Sequence, residues 1–254
     1  MSIDGAVWIK DPLAILAEDA DRGVVVADGA IVALVAMGAE PTIPGVKTFD
    51  ASAHVVIPGL INTHHHFYQT LTRAVPAALD RELFPWLKAL YPIWAKLTPE
   101  ALDLAATVAM AELMLSGCTA TTDHHYVFPA GLENGIDIEI AAAGRLGLRV
   151  LVTRGSMNLS ERDGGLPPDS VVQDADAILA DSQRLVERYH QRGDAAMVQV
   201  ALAPCSPFSV TTALMQATAE LADRLDVRLH THLAETEDEN QGPVIDDVSV
   251  KEKE

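Results

Sequence analysis

From residue 55 onward the sequence alternates between short apolar runs and longer helix-like stretches, and this rhythm restricts the fold more than any other feature. Several of the runs are almost continuously apolar, which is typical of strands buried on both faces. Strands that alternate with helices form parallel sheets, so the pattern predicts an α/β fold. The predicted strands are residues 55–62, 119–123, 149–153, 198–203 and 227–232.

Helix-start signals lie between the predicted strands. Thr98 followed by Pro99 provides an N-cap and a first helical residue, and it predicts a helix over residues 99–115. Similar patterns predict helices over residues 174–190 and 212–225, so that about five βα units result. Polar residues follow the strands, where a TIM barrel or an open α/β sheet carries its active site. These positions are 64–66, 124–125, 154–156, 205–206 and 235.

The first 53 residues have a different pattern, with short β-prone runs at 6–9, 24–26 and 31–35 separated by turn residues. Such a pattern is typical of a small antiparallel sheet. The predicted organisation is therefore a small β domain over residues 1–53, an α/β domain over 54–240 and a polar tail over 241–254.

The charge balance restricts the partners of the chain. Lys and Arg number 18 against 36 Asp and Glu, so the formal net charge is −18 and no basic field attracts nucleic acid or an anionic membrane. No apolar stretch reaches the roughly 20 residues that span a bilayer, so no membrane insertion is expected. Two cysteines cannot build a disulfide framework, and the N-terminus lacks a signal-peptide pattern. We therefore expect a cytoplasmic protein.

The strongest motif is Asn62-Thr63-His64-His65-His66, directly after the first apolar run. On a strand, residues i and i+2 lie on one face with Cα atoms about 6.5 Å apart. His64 and His66 can therefore bind one metal ion, while His65 points away. Helical or loop geometry would prevent this convergence, so a second signal is needed to favour a metal site.

That signal is His230 and His232 at the end of the fifth predicted strand, followed by Glu235. The spacing allows either histidine to bind a metal ion and does not choose between them. Glu235 lies where a carboxylate could carry a proton from a bound water to a leaving group. The alternative interpretation is a solvated acidic run, which suits residues 237–239.

Two blocks, VIPGLINTHHH at residues 56–66 and THLAET at 231–236, resemble the amidohydrolase superfamily in its branch of mononuclear metal-dependent deaminases and chlorohydrolases. Runs at 67–74, 82–100, 116–129, 154–174 and 201–210 extend the resemblance from about residue 3 to about residue 238. The resemblance implies a (β/α)8 barrel of the TIM type with a small β-sandwich assembled from both chain ends. Only about five βα units and the N-terminal portion of the sandwich are expected here.

The resemblance also implies one divalent metal ion, usually zinc, held by His64, His66 and His232. Glu235 would move protons. The family has a further Asp ligand at the eighth strand and a catalytic His after the sixth, and this sequence contains neither block.

Three residues are candidates for substrate binding. Gln69 matches the position at which relatives hydrogen-bond a purine or triazine ring, although a helix-start role is the alternative. Trp86 could stack on a planar heterocycle or pack in the core. Cys205 is expected to be a small pocket residue, because no base that would activate a nucleophile is identifiable. For His124 and His125, pocket lining or a hydrogen-bonded polar network is favoured over metal binding.

The implied function is hydrolytic deamination of a small planar nitrogen heterocycle, with 8-oxoguanine to urate and ammonia as the first expectation. A guanine or triazine aminohydrolase or chlorohydrolase is the alternative. A function of another class, a non-catalytic fragment that binds metal or assembles with a partner, fits the missing C-terminal blocks. A homo-oligomer is compatible with each of these.

Overall fold

The computed structural model describes residues 5–237, and the chain divides into two compact units. The first unit extends to Leu60 and includes residues 193–195, and the second comprises the rest. The domain limits predicted at 53/54 and 240/241 stay predictions, and the predicted tail over 241–254 lies outside the described residues.

The first unit contains two small sheets. One pairs β2 (Ala14–Ile15) with β6 (Val55–Val56). The other contains β1 (Val7–Lys10), β3 (Gly23–Ala27), β4 (Ala30–Leu34) and β5 (Lys47–Asp50), in the order β4-β3-β1-β5. Strands β1, β3 and β4 are antiparallel neighbours as predicted, whereas β5 runs parallel to β1. Asp28 and Gly29 both have positive φ in the β3–β4 hairpin, as a tight two-residue turn requires.

The second unit is built on the strands β7 (Leu60–Asn62), β8 (Cys118–His125), β9 (Arg149–Ser156) and β10 (Val198–Pro204), which lie side by side in chain order. The pairs β8–β9 and β9–β10 are parallel. Helices α1 (Leu83–Trp94) and α2 (Pro99–Leu115) follow β7. Helices α3 (Gly135–Leu146), α4 (Ala175–Tyr189) and α5 (Thr212–Leu225) follow the next three strands in turn. This is the βα succession of part of a TIM-type barrel.

Helices α2 and α5 have the predicted bounds. Their first residues could be predicted because each N-cap residue directly precedes its helix in the sequence. The Thr98 side chain accepts a hydrogen bond from the N–H of Ala101, and Thr211 does the same for Leu214. Sequence reasoning missed α1 and α3. Helix α1 contains the helix-breaking Pro92, and α3 begins without a side-chain cap, so neither carries the usual signals.

The predicted strand over residues 55–62 is wrong as a single element. Its first part is β6, which pairs with β2, and its last part is β7, which joins the parallel sheet. Pro58-Gly59 separates the two, since proline lacks the N–H that a ladder requires and glycine weakens a strand. The expected burial on both faces is also wrong, because Ile57 and Ile61 are 59% and 70% exposed.

The predicted strand over residues 227–232 is reduced to a single bridge between Leu202 and Leu229. Backbone bonds join Leu202 N–H to the Arg228 carbonyl and His230 N–H to the Leu202 carbonyl, so this segment still lies beside β10. Leu229 is 43% exposed, which leaves little apolar burial to favour a longer ladder. The described residues thus contain four strands followed by helices and the start of a fifth strand.

Alternation along the parallel strands separates two faces of the sheet. Val152 on β9 and Leu202 on β10 belong to the core that packs against the helices, and Asp123 and His125 on β8 share their face by register. His124 therefore lies on the opposite face, which carries the candidate site. Among the described residues, no helix has the length and apolar character needed to cross a bilayer.

Candidate metal centre

The segment from His64 to His66 is fixed by hydrogen bonds at both ends. The Asn62 side chain accepts from the His64 N–H at 3.1 Å, and the Asp123 carboxylate accepts from the Phe67 N–H at 2.6 Å. The His124 N–H donates to the His65 carbonyl at 2.7 Å. Residues 63–66 thus form a loop after β7 and are not the strand that the spacing argument assumed. The expectation that loop geometry would prevent convergence is wrong here, because these hydrogen bonds attach the loop to the end of β8.

Three imidazole nitrogens converge at this place. His66 Nε2 lies 3.1 Å from His64 Nε2 and 3.3 Å from His232 Nε2. These side chains come from the ends of two segments that are far apart in the sequence. The predicted strand-end spacing of the histidines therefore corresponds to a real juxtaposition.

The other nitrogen of each ring also has a partner. His66 Nδ1 donates to the His124 carbonyl at 2.6 Å, and His232 Nδ1 donates to the Cys205 carbonyl at 2.8 Å. His64 Nδ1 lies 3.0 Å from His230 Nε2. Because carbonyl oxygens only accept, Nδ1 carries the hydrogen in His66 and His232, and the Nε2 lone pairs of these two rings face each other.

This arrangement fits a cation. Lone pairs a little over 3 Å apart repel unless a positive charge lies between them, and a metal-binding histidine characteristically donates its other N–H to a carbonyl. Burial and the neighbouring His232 hold the pKa of His66 well below its usual value, and burial lowers the pKa of His64. Neutral imidazole is the form that binds zinc.

His124 and His230 surround this group. His230 Nε2 approaches His64 from the side opposite to His66, and the potential ligand atoms of His64, His124 and His230 also lie within 4.8 Å of one another. The His124 ring stacks on His232 with centroids 4.3 Å apart. Burial holds the pKa of His124 well below its usual value and lowers that of His230 to about 4.

A cavity of about 400 Å³ opens beside the histidines. Gln69, Trp86, Cys205 and Glu235 all line it, so the structure brings together the residues that the sequence analysis selected. His66 and His232 line it as well, and the further lining residues are Arg81, Leu83, Leu87, Tyr91, Tyr126 and Phe208.

The walls differ in chemical character. Gln69 points its amide toward the hydroxyl groups of Tyr68 and Tyr126, at 3.3 and 3.4 Å. Trp86 lies on α1 and forms a T-shaped contact with Trp94, with ring centroids 5.4 Å apart. Burial raises the pKa of the Cys205 thiol to about 12, so this thiol stays protonated at neutral pH and offers no thiolate nucleophile.

Sequence reasoning missed the aromatic lining formed by Tyr91, Tyr126 and Phe208. Tyr126 directly follows β8, two residues beyond His124 and therefore on the same face if the strand alternation continues. That periodicity could have identified it. Tyr91 lies on α1, which was not predicted because Pro92 interrupts its helical sequence pattern.

Comparison with known proteins identifies the family. The Amidohydrolase family matches residues 55–242, which is more than half of the chain. This chain belongs to the amidohydrolase family. The predicted family and the barrel-type fold are therefore confirmed.

Individual relatives agree with this assignment. An 8-oxoguanine deaminase of Pseudomonas aeruginosa is 63% identical over 91% of this chain and 52% of its own length. A hydroxydechloroatrazine ethylaminohydrolase of Pseudomonas sp. (strain ADP) is 38% identical over 76% of this chain and 41% of its own length. The chain thus spans about half the length of the curated relatives it matches.

A solved structure has the same partial fold. The atrazine chlorohydrolase of Arthrobacter aurescens TC1 complexed with zinc superposes with a TM-score of 0.78 and 29% identity. The match covers 90% of this chain and 52% of that protein.

Proposed function

We propose that this chain is the metal- and substrate-binding part of a hydrolytic deaminase that acts on a planar nitrogen heterocycle. The observation that carries the proposal is the convergence of the Nε2 atoms of His64, His66 and His232 next to an aromatic cavity. The 63% identity to an 8-oxoguanine deaminase supports 8-oxoguanine as the substrate, with urate and ammonia as products. In this reaction a water oxygen replaces the amino group on a ring carbon.

His64, His66 and His232 would hold one divalent ion, and zinc is supported by the nature of the three donors and by the zinc-complexed relative. Bound there, such an ion would supply Lewis-acid activation of water at neutral pH. The chain's own contribution is to keep His64 and His66 neutral by burial and to fix the tautomers of His66 and His232 through carbonyl acceptors at Nδ1.

The cavity residues would bind and orient the ring. Trp86 offers a flat face on which a heterocycle can stack. The Gln69 side-chain carbonyl would accept from a ring N–H, because its amide nitrogen is directed at the hydroxyl groups of Tyr68 and Tyr126. The buried Cys205 thiol is a small neutral wall that leaves room for the ring close to His232.

Glu235 would move protons. Its carboxylate lines the same cavity as His66 and His232, so a reacting ring held there lies within its reach. It would take a proton from water and give it to the departing amine, leaving ammonia.

A triazine aminohydrolase or chlorohydrolase is the second candidate. It is supported by the structural match to the atrazine chlorohydrolase and by the 38% identical ethylaminohydrolase. A purine and a triazine are both flat and rich in acceptors, so the cavity does not separate them by shape alone. A non-catalytic metal-binding chain is the third, since the convergent histidines could hold an ion without any turnover.

The experiment is a zinc titration of the whole chain against a chromophoric chelator. The wild-type chain should bind one zinc ion, and His66→Ala should bind none with measurable affinity. His54→Ala removes a histidine outside the site and should bind zinc like the wild type. Equal zinc binding by all three proteins would overturn the proposed site.

Substrate class is tested separately, by quenching of tryptophan fluorescence on adding 8-oxoguanine, guanine or a hydroxytriazine, together with an ammonia-release assay. Trp86→Leu should reduce the quenching. Stronger binding of the triazine would favour the second candidate, and ligand binding without ammonia release would favour the third. The cytoplasmic location and a homo-oligomer stay predictions.

A further inference from the structure

A second group of titratable side chains is buried on the opposite face of the sheet. Asp123 and His125 project from β8 and Glu139 from α3, and all three are 0% exposed. His125 Nδ1 lies 3.0 Å from Glu139 Oε1, and one potential ligand atom from each of the three side chains lies within 4.8 Å of the others. Apart from the bond between Asp123 and the Phe67 N–H, none of the roles described above uses these residues.

Several hydrogen-bond acceptors of Asp123, His125 and Glu139 lie close together without a donor between them. His125 Nε2 lies 2.8 Å from the Val127 carbonyl, so Nε2 carries the ring hydrogen. In a neutral ring, Nδ1 then carries a lone pair, and it lies 3.0 Å from Glu139 Oε1 without a hydrogen bond of its own. Asp123 Oδ2 and both Glu139 oxygens are buried without a hydrogen-bond donor of their own. Additional protons must therefore lie within this cluster, or a cation must.

Protons account for the cluster better than a cation does. The 3.0 Å separation between His125 Nδ1 and Glu139 Oε1 is within hydrogen-bond distance, and the O–H of a carboxylic acid can turn toward Nδ1. Burial raises the pKa of Glu139 to about 8 and holds that of Asp123 well above its usual value, while it lowers that of His125 to about 4. Arg154, the neighbour of His125 in the sheet, directs its guanidinium to Asp181 instead.

We propose that Asp123, Glu139 and His125 form an uncharged hydrogen-bond chain that positions the metal-binding loop. Protonated Asp123 donates to Glu139, protonated Glu139 donates to His125 Nδ1, and His125 donates to the Val127 carbonyl. Asp123 Oδ1 is thereby held in place to accept the Phe67 N–H. These are positioning residues, because they touch neither metal nor substrate.

The connection to the metal centre is short. Phe67 directly follows His66, and its N–H donates to Asp123 on β8 at 2.6 Å. His66 Nδ1 donates to the carbonyl of His124, the next residue of the same strand, also at 2.6 Å. The orientation of His66 therefore depends on the end of β8, and a shift of the Asp123 carboxyl moves the backbone on which His66 is held.

This inference rests on the proposed metal site, and amide substitutions test it. An amide mimics a protonated carboxylic acid, since it has one carbonyl acceptor and an N–H donor. Asp123→Asn can accept from Phe67 and donate to Glu139, and Glu139→Gln can accept from Asp123 and donate to His125. Both variants should bind zinc with nearly wild-type affinity. Asp123→Leu and Glu139→Leu remove the chain and should weaken zinc binding about 10- to 100-fold, as loss of a supporting residue does.

The readouts separate positioning from general damage. Zinc affinity is measured by chelator competition, and urea unfolding is followed on the same samples. Thr218→Val is the matched control. It removes a buried hydroxyl group that, like the carboxyl oxygens of the cluster, has no hydrogen-bond partner, and it should keep wild-type zinc affinity. Infrared spectra should show the carbonyl band of a protonated carboxylic acid in the wild type, and this band should decrease in Glu139→Gln.

The possible results have distinct meanings. Amide variants that lose zinc as severely as the leucine variants would overturn the proposal, and so would leucine variants that keep wild-type affinity. If the leucine variants do not fold, the amide variants still decide. A second zinc ion per chain, lost in Glu139→Gln, would show a cation in the cluster and also overturn it. Failure of the proposed function is recognised separately, by equal zinc binding in the wild type and His66→Ala.

Discussion

Arg154 is the largest charged side chain among the fully buried residues that the structure describes. Its ion pair with Asp181 tests whether burial sets the contribution of an ion pair to stability. Arg154 Nε lies 2.6 Å from Asp181 Oδ2, and the two side chains are 1% and 18% exposed. The guanidinium also donates to Gln173 at 2.8 Å and stacks over Phe128 at 4.0 Å. The change is Asp181→Asn, which removes the negative charge and keeps the shape.

The expected loss follows from burial. Removing one member of a buried ion pair leaves an uncompensated charge and costs about 3 to 5 kcal/mol. Because Asp181 is partly exposed and Arg154 keeps Gln173, we expect the lower end, about 3 kcal/mol. Arg184, which also contacts Asp181, keeps its bond to Asp137 and adds little.

The chain contains a matched control at the same distance. Arg145 lies 2.6 Å from Asp103, with side chains 52% and 44% exposed. Solvent screens this pair, so Asp103→Asn should cost less than about 0.5 kcal/mol. The free energy of unfolding is measured for both variants by urea denaturation at pH 7. Losses that agree within experimental error would refute the argument that burial, and not distance, sets the contribution of the pair.

Three further predictions concern other elements. Gly155→Ala should destabilise by about 1 to 3 kcal/mol in urea unfolding, because the new Cβ would lie 2.1 Å from the His125 carbonyl oxygen, whereas Gly144→Ala, with free space around it, should be neutral or stabilising. Thr98→Ala should cost about 1 kcal/mol in the same assay, since it removes the cap of α2, and Thr98→Ser should restore most of it. The pKa of Glu139 is raised from 4.5 to about 8, so the native state binds an extra proton between these values and its stability falls as pH rises through that window. Glu139→Gln should remove this contribution, and a wild-type-like pH dependence of unfolding in the variant would contradict it.

Local signals in the sequence predicted the elements whose stabilising contacts are local. The caps at Thr98 and Thr211 fixed the starts of α2 and α5, and the apolar runs located β8, β9 and β10 within a few residues. The run from residue 55 to 62 failed because its two ends pair with different sheets. Pairing of β6 with β2 is a long-range event that no periodicity within the run reports.

In the candidate site, too, contacts between neighbours in the sequence could be predicted and long-range contacts could not. The i, i+2 spacing predicted that His64 and His66 converge, and they do, but on a loop and not on a strand. Hydrogen bonds from that loop to β8, which the spacing does not report, hold the two rings together. The sequence could not choose between His230 and His232. That difference depends on which ring faces His66 and which faces the far side of His64, and only the fold fixes it. Arg154 was grouped with the polar strand ends, but the alternation of β9 directs it to α4.

Strand β8 shows how alternation couples two chemically different environments. His124 stacks on His232 on the face that carries the candidate metal centre, while Asp123 and His125 on either side of it are buried on the face toward α3. Consecutive side chains of a strand point to opposite faces of the sheet, so a shift of the strand moves the side chains on both faces together. Asp123 therefore cannot shift without moving the backbone of His124. The His124 carbonyl accepts from His66 Nδ1, so the His66 ring would move as well. In the proposed hydrogen-bond chain, the Asp123 carboxyl group would in this way help to position the three imidazoles without touching them.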